Sequence, residues 1–486
     1  MKNEVLGGVI LCLLAAIVLV DPSNVAVIAC AIGVALVIFG TVFFVLLRRD
    51  PAALRPGASW VSLLSMSLIV LVLPASFAVI LYYFASLTFF SWFFLVGLSI
   101  VFYVNALMVP LAVYHYRHEA RSDGSTSYLP PVTILIPAYN EETVLRRTIE
   151  AVLETTYAYK EVIVIDDGST DRTLQIAQGF RDRGVMVIHR PNGGKATALN
   201  HGLRFARGEI IVIVDADSLM GKNTLLELVQ PFKDERVAAV AGNIKVLNRI
   251  NWLTKCQALE YITSINLNRR AMDMFGSVTV VPGALGAYRR EILQGSGIYD
   301  PDTLVEDFDV TMKILKTGQV VKASTTATAY TEAPETLGEL IKQRLRWNRG
   351  NFQALWKHRD AAVNSRFGFL QKLSFPYLFI SMTFVPVAGM VTIIAAILSI
   401  LNGGGLTLLS AVVFFISLQY LTSLLAIRLE GEDQQLSLFA PLLVIGYKQF
   451  CDYIVLRSLF DVLFRKKLRW ASVHRTGTEV SRSALS

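Results

Sequence analysis

Apolar and polar positions fall in two contrasting patterns along the chain. In the first, nearly every position is apolar over about twenty residues, the length that crosses a bilayer as a helix. Such runs occupy residues 5–20, 25–47, 61–83 and 89–114, and again 373–401 and 406–426. The run at 5–20 is short enough to resemble a leader, but Asp21 and Pro22 follow it without a small-residue cleavage pattern, and it reads as a membrane helix. Asn402, Gly403, Gly404 and Gly405 mark a tight turn between the last two runs. In the second pattern, over residues 129–357, short β-favouring runs alternate with stretches whose apolar positions recur at helical spacing. This predicts an α/β domain of ordinary size inserted between membrane helices.

Composition agrees: 53% of the 486 residues are hydrophobic and only 17% are charged. The net charge of +8 is not a nucleic-acid footprint, because Lys and Arg crowd the flanks of the apolar runs and no nucleic-acid-binding motif is present. Arg48, Arg49, Arg55, Arg117 and Arg121 put the loops after the second and fourth runs on the cytoplasmic side, together with the α/β domain. Residues 436–464 carry Lys448, Asp452, Arg457 and Asp461 ahead of a basic tail, which leaves two options: a seventh span that breaks the charge rule, or an interfacial or re-entrant helix pair that obeys it. Three of the four cysteines (Cys12, Cys30, Cys451) lie in apolar stretches and read as small hydrophobes, not as a disulfide framework or zinc site. The organisation expected is a transmembrane region over 1–118, the α/β domain over 129–357, interfacial and membrane helices over 358–464, and a basic tail over 465–486.

Within the α/β domain, three apolar strands each run into an acidic loop. Residues 131–137 lead to Tyr139, Asn140, Glu141 and a helix starting near Thr143; residues 161–165 lead to Asp166, Asp167 and Gly168; residues 210–214 lead to Asp215, Ala216 and Asp217. Strand, loop and helix repeated in this way describe an open parallel sheet whose strand C-termini converge on one ligand crevice. The first turn lacks the GxGxxG of dinucleotide enzymes. Gly193-Gly194-Lys195 is not a P-loop, since His189 replaces its first glycine and Ala196 its magnesium-binding hydroxyl. Lys195 is then either a phosphate contact or a solvated surface lysine.

Asp215 and Asp217, two residues apart after a buried strand, suit a hard cation on a diphosphate, or serve only as caps. Glu306, Asp307 and Asp309 open a helical stretch, where acidic groups favour the macrodipole; Asp309 is expected to play that capping role. Gln343, Arg346 and Trp347 sit in an amphipathic segment over 335–356, with apolar positions at Leu337, Leu340, Ile341, Leu345, Phe352, Leu355 and Trp356. That segment alone would also describe a basic helix lying on a membrane surface.

Taken in order, Pro-Ala-Tyr-Asn-Glu (137–141), Asp-Asp-Gly-Ser-Thr-Asp (166–171), Asn-Gly-Gly-Lys (192–195), Asp-Ala-Asp (215–217), Glu-Asp (306–307) and Gln-Arg-Leu-Arg-Trp (343–347) closely resemble the glycosyltransferase family 2 membrane synthases of hyaluronan, cellulose, chitin and poly-N-acetylglucosamine. The resemblance covers residues 129–357 and, in layout, the helices around them. It implies a GT-A-like α/β domain in a polytopic plasma-membrane protein. It implies that Tyr139, Glu141 and Asp167 contact the uridine of a UDP-sugar with Asp166 close by, and that Lys195 approaches the phosphates. By the same resemblance Asp215 and Asp217 form the D-x-D site, with Asp217 holding Mg2+ or Mn2+. Asp307, beside Glu306, matches the general base; Gln343, Arg346 and Trp347 match the motif that binds the diphosphate and frames the acceptor sugar. One position departs from the pattern: Val305 stands where the family commonly has Thr, which removes a hydroxyl next to the base.

The function implied is processive, inverting polymerisation of a UDP-sugar at the cytoplasmic face, with the polysaccharide extruded through the protein's own membrane helices. Lys448 and Asp452 are then either lining groups of that path or an i,i+4 pair on an interfacial helix. The stretch from Gly242 and Asn243 through Val281–Ala284 to Arg289 and Arg290 most resembles synthases of N-acetylglucosamine polymers. The alternatives are transfer of one sugar to a polyprenyl phosphate or lipid, and a transporter or receptor whose α/β domain only senses nucleotide-sugars.

Overall fold

The computed structural model describes residues 108–119, 128–403 and 405–466. The N-terminal spans expected before residue 108 and the basic tail after residue 466 lie outside the described residues. The chain divides into two compact units, one including His115–Pro376 and the residues from Arg457 on, the other including Tyr377–Leu456 and the described residues up to Tyr114. Helix α1 (Met108–Glu119) carries the chain toward the larger unit.

The larger unit opens with β1 (Val132–Ala138), α2 (Leu145–Leu153), β2 (Lys160–Asp166), α3 (Thr173–Gln178), β3 (Val185–His189), α4 (Lys195–Leu203) and β4 (Ile210–Ile213). It continues through β5 (Ser218–Met220), α5 (Thr224–Val229), β6 (Val237–Val246), α6 (Trp252–Glu260), a π-helical turn at Tyr261–Asn266, α7 (Leu267–Asp273), β7 (Gly286–Arg289), α8 (Arg290–Gly295), α9 (Glu306–Lys316), β8 (Val320–Thr331) and α10 (Leu337–Lys357). All seven residues of β1 are buried. A strand covered on both faces needs an unbroken apolar run, which is why its side chains do not alternate. The cover comes from helices such as α2, which buries Leu145, Thr148, Ile149 and Val152, spaced i, i+3, i+4 and i+7.

The sheet has eight strands in the order β3-β2-β1-β4-β7-β6-β8-β5. The expected parallel sheet holds for β3, β2, β1 and β4. Beyond them β7 runs antiparallel to β4 and β6 and β5 antiparallel to β8, while β6 and β8 pair in parallel, so the sheet is mixed. The parallel half is in register at its carboxyl end, where Ala138 lies opposite Asp166 and Asp166 opposite His189. The loops after β1, β2 and β3 therefore leave the sheet at one level, while β4 ends earlier, with Ile213 opposite Leu135. The first helix begins at Leu145, not Thr143, because Asn140 takes a left-handed conformation (φ 55°) and ties the first loop to the second, its Oδ1 accepting from the Thr170 amide at 2.8 Å.

Helix α10 is capped by Thr336, whose hydroxyl accepts from the Glu339 amide. Its apolar stripe is narrower than the sequence pattern: Leu340, Phe352 and Leu355 are buried, while Leu337 and Trp356 are exposed, Trp356 by 70%. Trp356 directly follows the buried Leu355, and one residue turns it about 100° off that face. Asp309 does not cap α9; its carboxylate is fully buried against α10, and the N-cap position is Val305, which makes no side-chain cap. Gly350 is where α10 passes closest to Val305, since a Cβ there would lie 2.7 Å from a Val305 methyl and 3.2 Å from Leu304.

In the smaller unit, α11 (Phe375–Leu401) and α12 (Gly405–Glu430) occupy the two expected apolar runs. Among the described residues one helical stretch, Leu370–Leu401, is long and apolar enough to cross a membrane. Residues 436–464 are not one straight helix. Gln434–Leu443 is a 3-10 helix, α13 (Tyr447–Leu463) follows, and the two are bent by 58°. Lys448 bonds Asp452 one turn along α13, and the Asp452 carboxylate, 3% exposed as a residue, packs onto Gly389 of α11.

Gly350→Ala is expected to force α10 away from Val305 at a cost of about 1–3 kcal/mol of overpacking. Thermal unfolding of the purified variant in detergent checks this; an unchanged midpoint contradicts the close approach.

Candidate active site

The loops after β1, β2 and β3 form one end of the crevice. Asp167, 3% exposed, accepts from the Arg190 guanidinium and from the amides of Gly193 (3.2 Å) and Gly194 (2.7 Å). Three donors on a carboxylate with about four lone-pair sites leave room for one more. Asp167 thus shapes the loop that delivers Lys195. Gly168 permits the approach, because a Cβ on it would lie 2.6 Å from the Asn192 nitrogen. Asp166 is fully buried; its Oδ2 lies 2.7 Å from His189 Nδ1, and its Oδ1 is buried without a partner. Tyr139 and Glu141 are half-buried beside these loops, and the Glu141 amide donates to Thr173 Oγ1 at 2.8 Å.

The centre of the crevice is electrostatic. Gly194, in a left-handed conformation, ends the loop and places Lys195 at the first position of α4. The Lys195 ammonium lies 2.6 Å from Asp215 and 2.9 Å from Glu306, so it is not a solvated lysine. Burial alone would lower its pKa, but attraction to Asp215, Glu306 and Asp307 outweighs that and raises it. Asp307 accepts from the amides of Phe308 (2.8 Å) and Gly283 (3.2 Å). Its pKa is raised, first by burial and then by the like charge of Glu306, with Lys195 and the two amides opposing. Gly283 lies against the pair, since a Cβ on it would meet the Lys195 ammonium and lie 3.3 Å from Asp215, so that a side chain there would displace the ammonium. Arg269 on α7 also feels the Asp307 charge; burial pulls its pKa down to about 10, which still leaves it a cation at neutral pH.

Asp217 is 8% exposed and accepts from Ser218 Oγ at 3.3 Å. The D-x-D loop is fixed from below by Thr148 of α2, whose hydroxyl donates to the Ala216 carbonyl at 2.6 Å. Asp215, Asp217, Glu306 and Asp307 are all oxygen donors, their set includes no His or Cys, and Lys195 alone contacts two of them. That chemistry fits a hard divalent cation, with Asp215 and Asp217 as the residues that would hold it.

Gln343, Arg346 and Trp347 share one face of α10 by their i, i+3 and i+4 spacing. Gln343 Oε1 and Arg346 Nε are buried and find no hydrogen-bond partner among the described residues. Trp347 is stacked under Arg344, whose guanidinium carbon is 4.7 Å from the ring centroid and whose Nη2 donates to Glu260 at 2.6 Å. A helix merely resting on a membrane would expose these residues, yet Gln343 and Arg344 are buried.

The structure brings Lys195, Asp215, Glu306 and Asp307 into direct or near contact and sets Asp166 and Asp167 on the adjoining loops. Sequence reasoning gave no role to Arg190, Arg269 or the Arg344–Glu260 pair, and quoted Gly283 and Arg344 only as members of the stretches 281–284 and 343–347. Arg190 stands one residue from His189 and near the Gly-Gly-Lys loop.

This mixed sheet, with carboxylates gathered where its parallel strands end, is a GT-A-like α/β fold. Residues 133–296 match the family model described as Glycosyl transferase family 2, and that segment carries a family 2 glycosyltransferase domain. A poly-beta-1,6-N-acetyl-D-glucosamine synthase of Staphylococcus aureus (strain COL) is 31% identical over 243 residues, which are 49% of this chain and 59% of the relative. The synthase of the same name from Staphylococcus epidermidis is 31% identical over 227 residues, 46% of this chain and 55% of the relative. The chain thus spans less than two thirds of the length of the curated relatives it matches. Among solved structures, a mannosyltransferase from Pyrobaculum calidifontis in complex with GDP-Man and Mn2+ superposes with a TM-score of 0.54 at 21% identity, covering 76% of this chain and 100% of that one, which supports the fold.

Asp167→Ala removes the acceptor for Arg190 and two amides. It is expected to cost about 1–3 kcal/mol in thermal unfolding and to open residues 190–194 to limited proteolysis.

Proposed function

We propose that the chain is a processive, inverting β-glycosyltransferase that polymerises a UDP-sugar, with UDP-N-acetylglucosamine favoured, and passes the polymer through its own membrane helices. The observation that carries this reading is the placement of Asp307. It is a partly buried carboxylate with a raised pKa, beside a lysine-bridged carboxylate cluster in the crevice of a family 2 domain. The likeness to poly-N-acetylglucosamine synthases favours the sugar and the polymeric product.

In this reading Tyr139, Glu141 and Asp167 receive the uridine, with the unpartnered Asp166 oxygen nearby, and Lys195 leaves its carboxylate partners to meet the diphosphate. Asp215 and Asp217 hold Mg2+ or Mn2+, which when bound neutralises charge on the departing diphosphate. Asp307 takes the proton of the acceptor hydroxyl as that oxygen attacks the anomeric carbon, and the configuration inverts. Arg346 and Gln343 supply donors to the diphosphate where negative charge develops. Trp347, held flat by Arg344, offers an apolar face on which an acceptor sugar can be gripped and slid. The apolar runs on either side of the domain, with Leu370–Leu401 as one helix of spanning length, support a multi-pass protein whose α/β domain is cytoplasmic. Lys448 and Asp452, joined on α13, are groups that a polar path would use.

UDP release by the detergent-purified chain with UDP-N-acetylglucosamine and Mg2+ or Mn2+ tests the reading. Asp307→Asn is expected to lower kcat by about 10²–10⁴-fold with donor KM little changed; turnover that survives the substitution removes Asp307 as the base. A general base must be ionised, so activity falls as pH drops through its pKa. With that pKa raised, the acid limb of kcat/KM lies above the ordinary carboxylate range, and Glu306→Gln, which removes a like charge, moves it to lower pH. A limb at or below the range of a free carboxylate contradicts this assignment.

A further inference from the structure

We propose that Asp309, held by Lys357 and His358, is a positioning residue that fixes the first turn of α9, and with it Asp307, against residues 343–347 of α10. The proposal rests on the reading of Asp307 and α10 given above.

Asp309 is fully buried one half-turn past Asp307. One of its oxygens, Oδ1, meets His358 Nε2 at 2.9 Å and Lys357 Nζ at 3.0 Å; the other lies 3.6 Å from Lys313. Lys357 is the last residue of α10 and His358 its C-cap, so both ligands of Oδ1 belong to the helix that carries Gln343, Arg346 and Trp347. Burial by itself would raise the pKa of Asp309, but bonds from His358 and Lys357 hold it below the usual carboxylate range. His358, 4% exposed, has its other nitrogen 3.2 Å from the Lys316 ammonium, which can only donate. Nδ1 is therefore the acceptor and Nε2 carries the hydrogen toward Asp309. The tautomer is set by a lysine from the far end of α9, so α9 grips His358 from both sides.

The same ions reach a third element. Lys313 and Lys357 both bind Asp300, at 2.7 and 2.6 Å, in the loop between α8 and α9. Asn200 of α4 holds that loop through paired bonds with the Tyr299 amide (3.0 Å) and carbonyl (2.7 Å). Lys195 begins α4. The three helices that deliver Lys195, Asp307 and Trp347 are thus joined behind the crevice by one polar junction. As a source of stability a buried ion cluster is a poor choice, because desolvation offsets much of the attraction, and an apolar contact would serve as well. Its directional bonds instead define a register, and register is what an acceptor hydroxyl held between Asp307 and Trp347 requires.

The test uses the full chain in detergent, with Asp309→Asn, His358→Leu and His358→Gln. The glutamine amide can donate from the position of Nε2, whereas leucine cannot. Asp309→Asn and His358→Leu are expected to lower kcat by about tenfold or more with donor KM within about threefold, and His358→Gln to restore kcat to within about threefold. Amide hydrogen exchange read on the same proteins should quicken in residues 306–309 and 343–350 and stay unchanged in β1 and β2. Unaltered kcat, a loss of donor binding in step with kcat, or exchange that rises uniformly overturns the proposal. If the wild-type chain shows no turnover, the functional reading fails, and the exchange pattern alone decides whether Asp309 sets the register.

Discussion

The candidate site depends on a charge balance around one ammonium. Lys195 lies within 3 Å of Asp215 and Glu306 and is also drawn to Asp307, and these carboxylates come from two separate places, the loop between β4 and β5 and the first turn of α9. Without that cation, like charges would force the loops apart or require protonation of one member. With it, the loops converge, Gly283 lies against the ammonium, and Asp307 sits where burial first and the like charge of Glu306 second raise its pKa. Among the described residues the Lys195 ammonium bridges Asp215 and Glu306, and the Arg269 guanidinium adds a positive charge that acts on Asp307. Carboxylates gathered in excess of the ammonium that bridges them favour a further cation.

Around this centre, packing does the positioning. Strands β1, β2 and β3 end level with one another, so the loops they feed start from one edge. Gly350 lets α10 lie against Val305, one residue before the Glu306–Asp307 pair. This gives a physical sense to the valine at 305: two methyls fill the contact with a helix glycine, and no cap bond from that position is needed to start α9.

Much of this was legible in the sequence because its causes are local. A buried parallel strand must be an unbroken apolar run, so β1, β2 and β4 stood out together with the loops that follow them. The helical period located α10 to within two residues at its start and one at its end. The other half of the sheet, in which β7 and β5 run antiparallel to their neighbours, was not legible. Strand β8, Val-Val-Lys-Ala-Ser-Thr-Thr-Ala-Thr-Ala-Tyr-Thr, is rich in small and polar residues and is held by β6 and β5, partners far away in the chain. Asp309 was misjudged for a similar reason. An acidic residue in a first helical turn satisfies the macrodipole rule on its own, whereas its ligands, Lys357 and His358, lie some fifty residues on. Gly283 and Arg344 carried no local signal, since each matters through what stands opposite it.

Product length separates a synthase from a single-sugar transferase most directly. The purified chain would be given each of several UDP-sugars with a divalent cation, and the products sized on a gel. High-molecular-weight polymer from UDP-N-acetylglucosamine, absent with Asp307→Asn, is the result expected. A lipid carrying a single sugar, or polymer that persists without the Asp307 carboxylate, would contradict it.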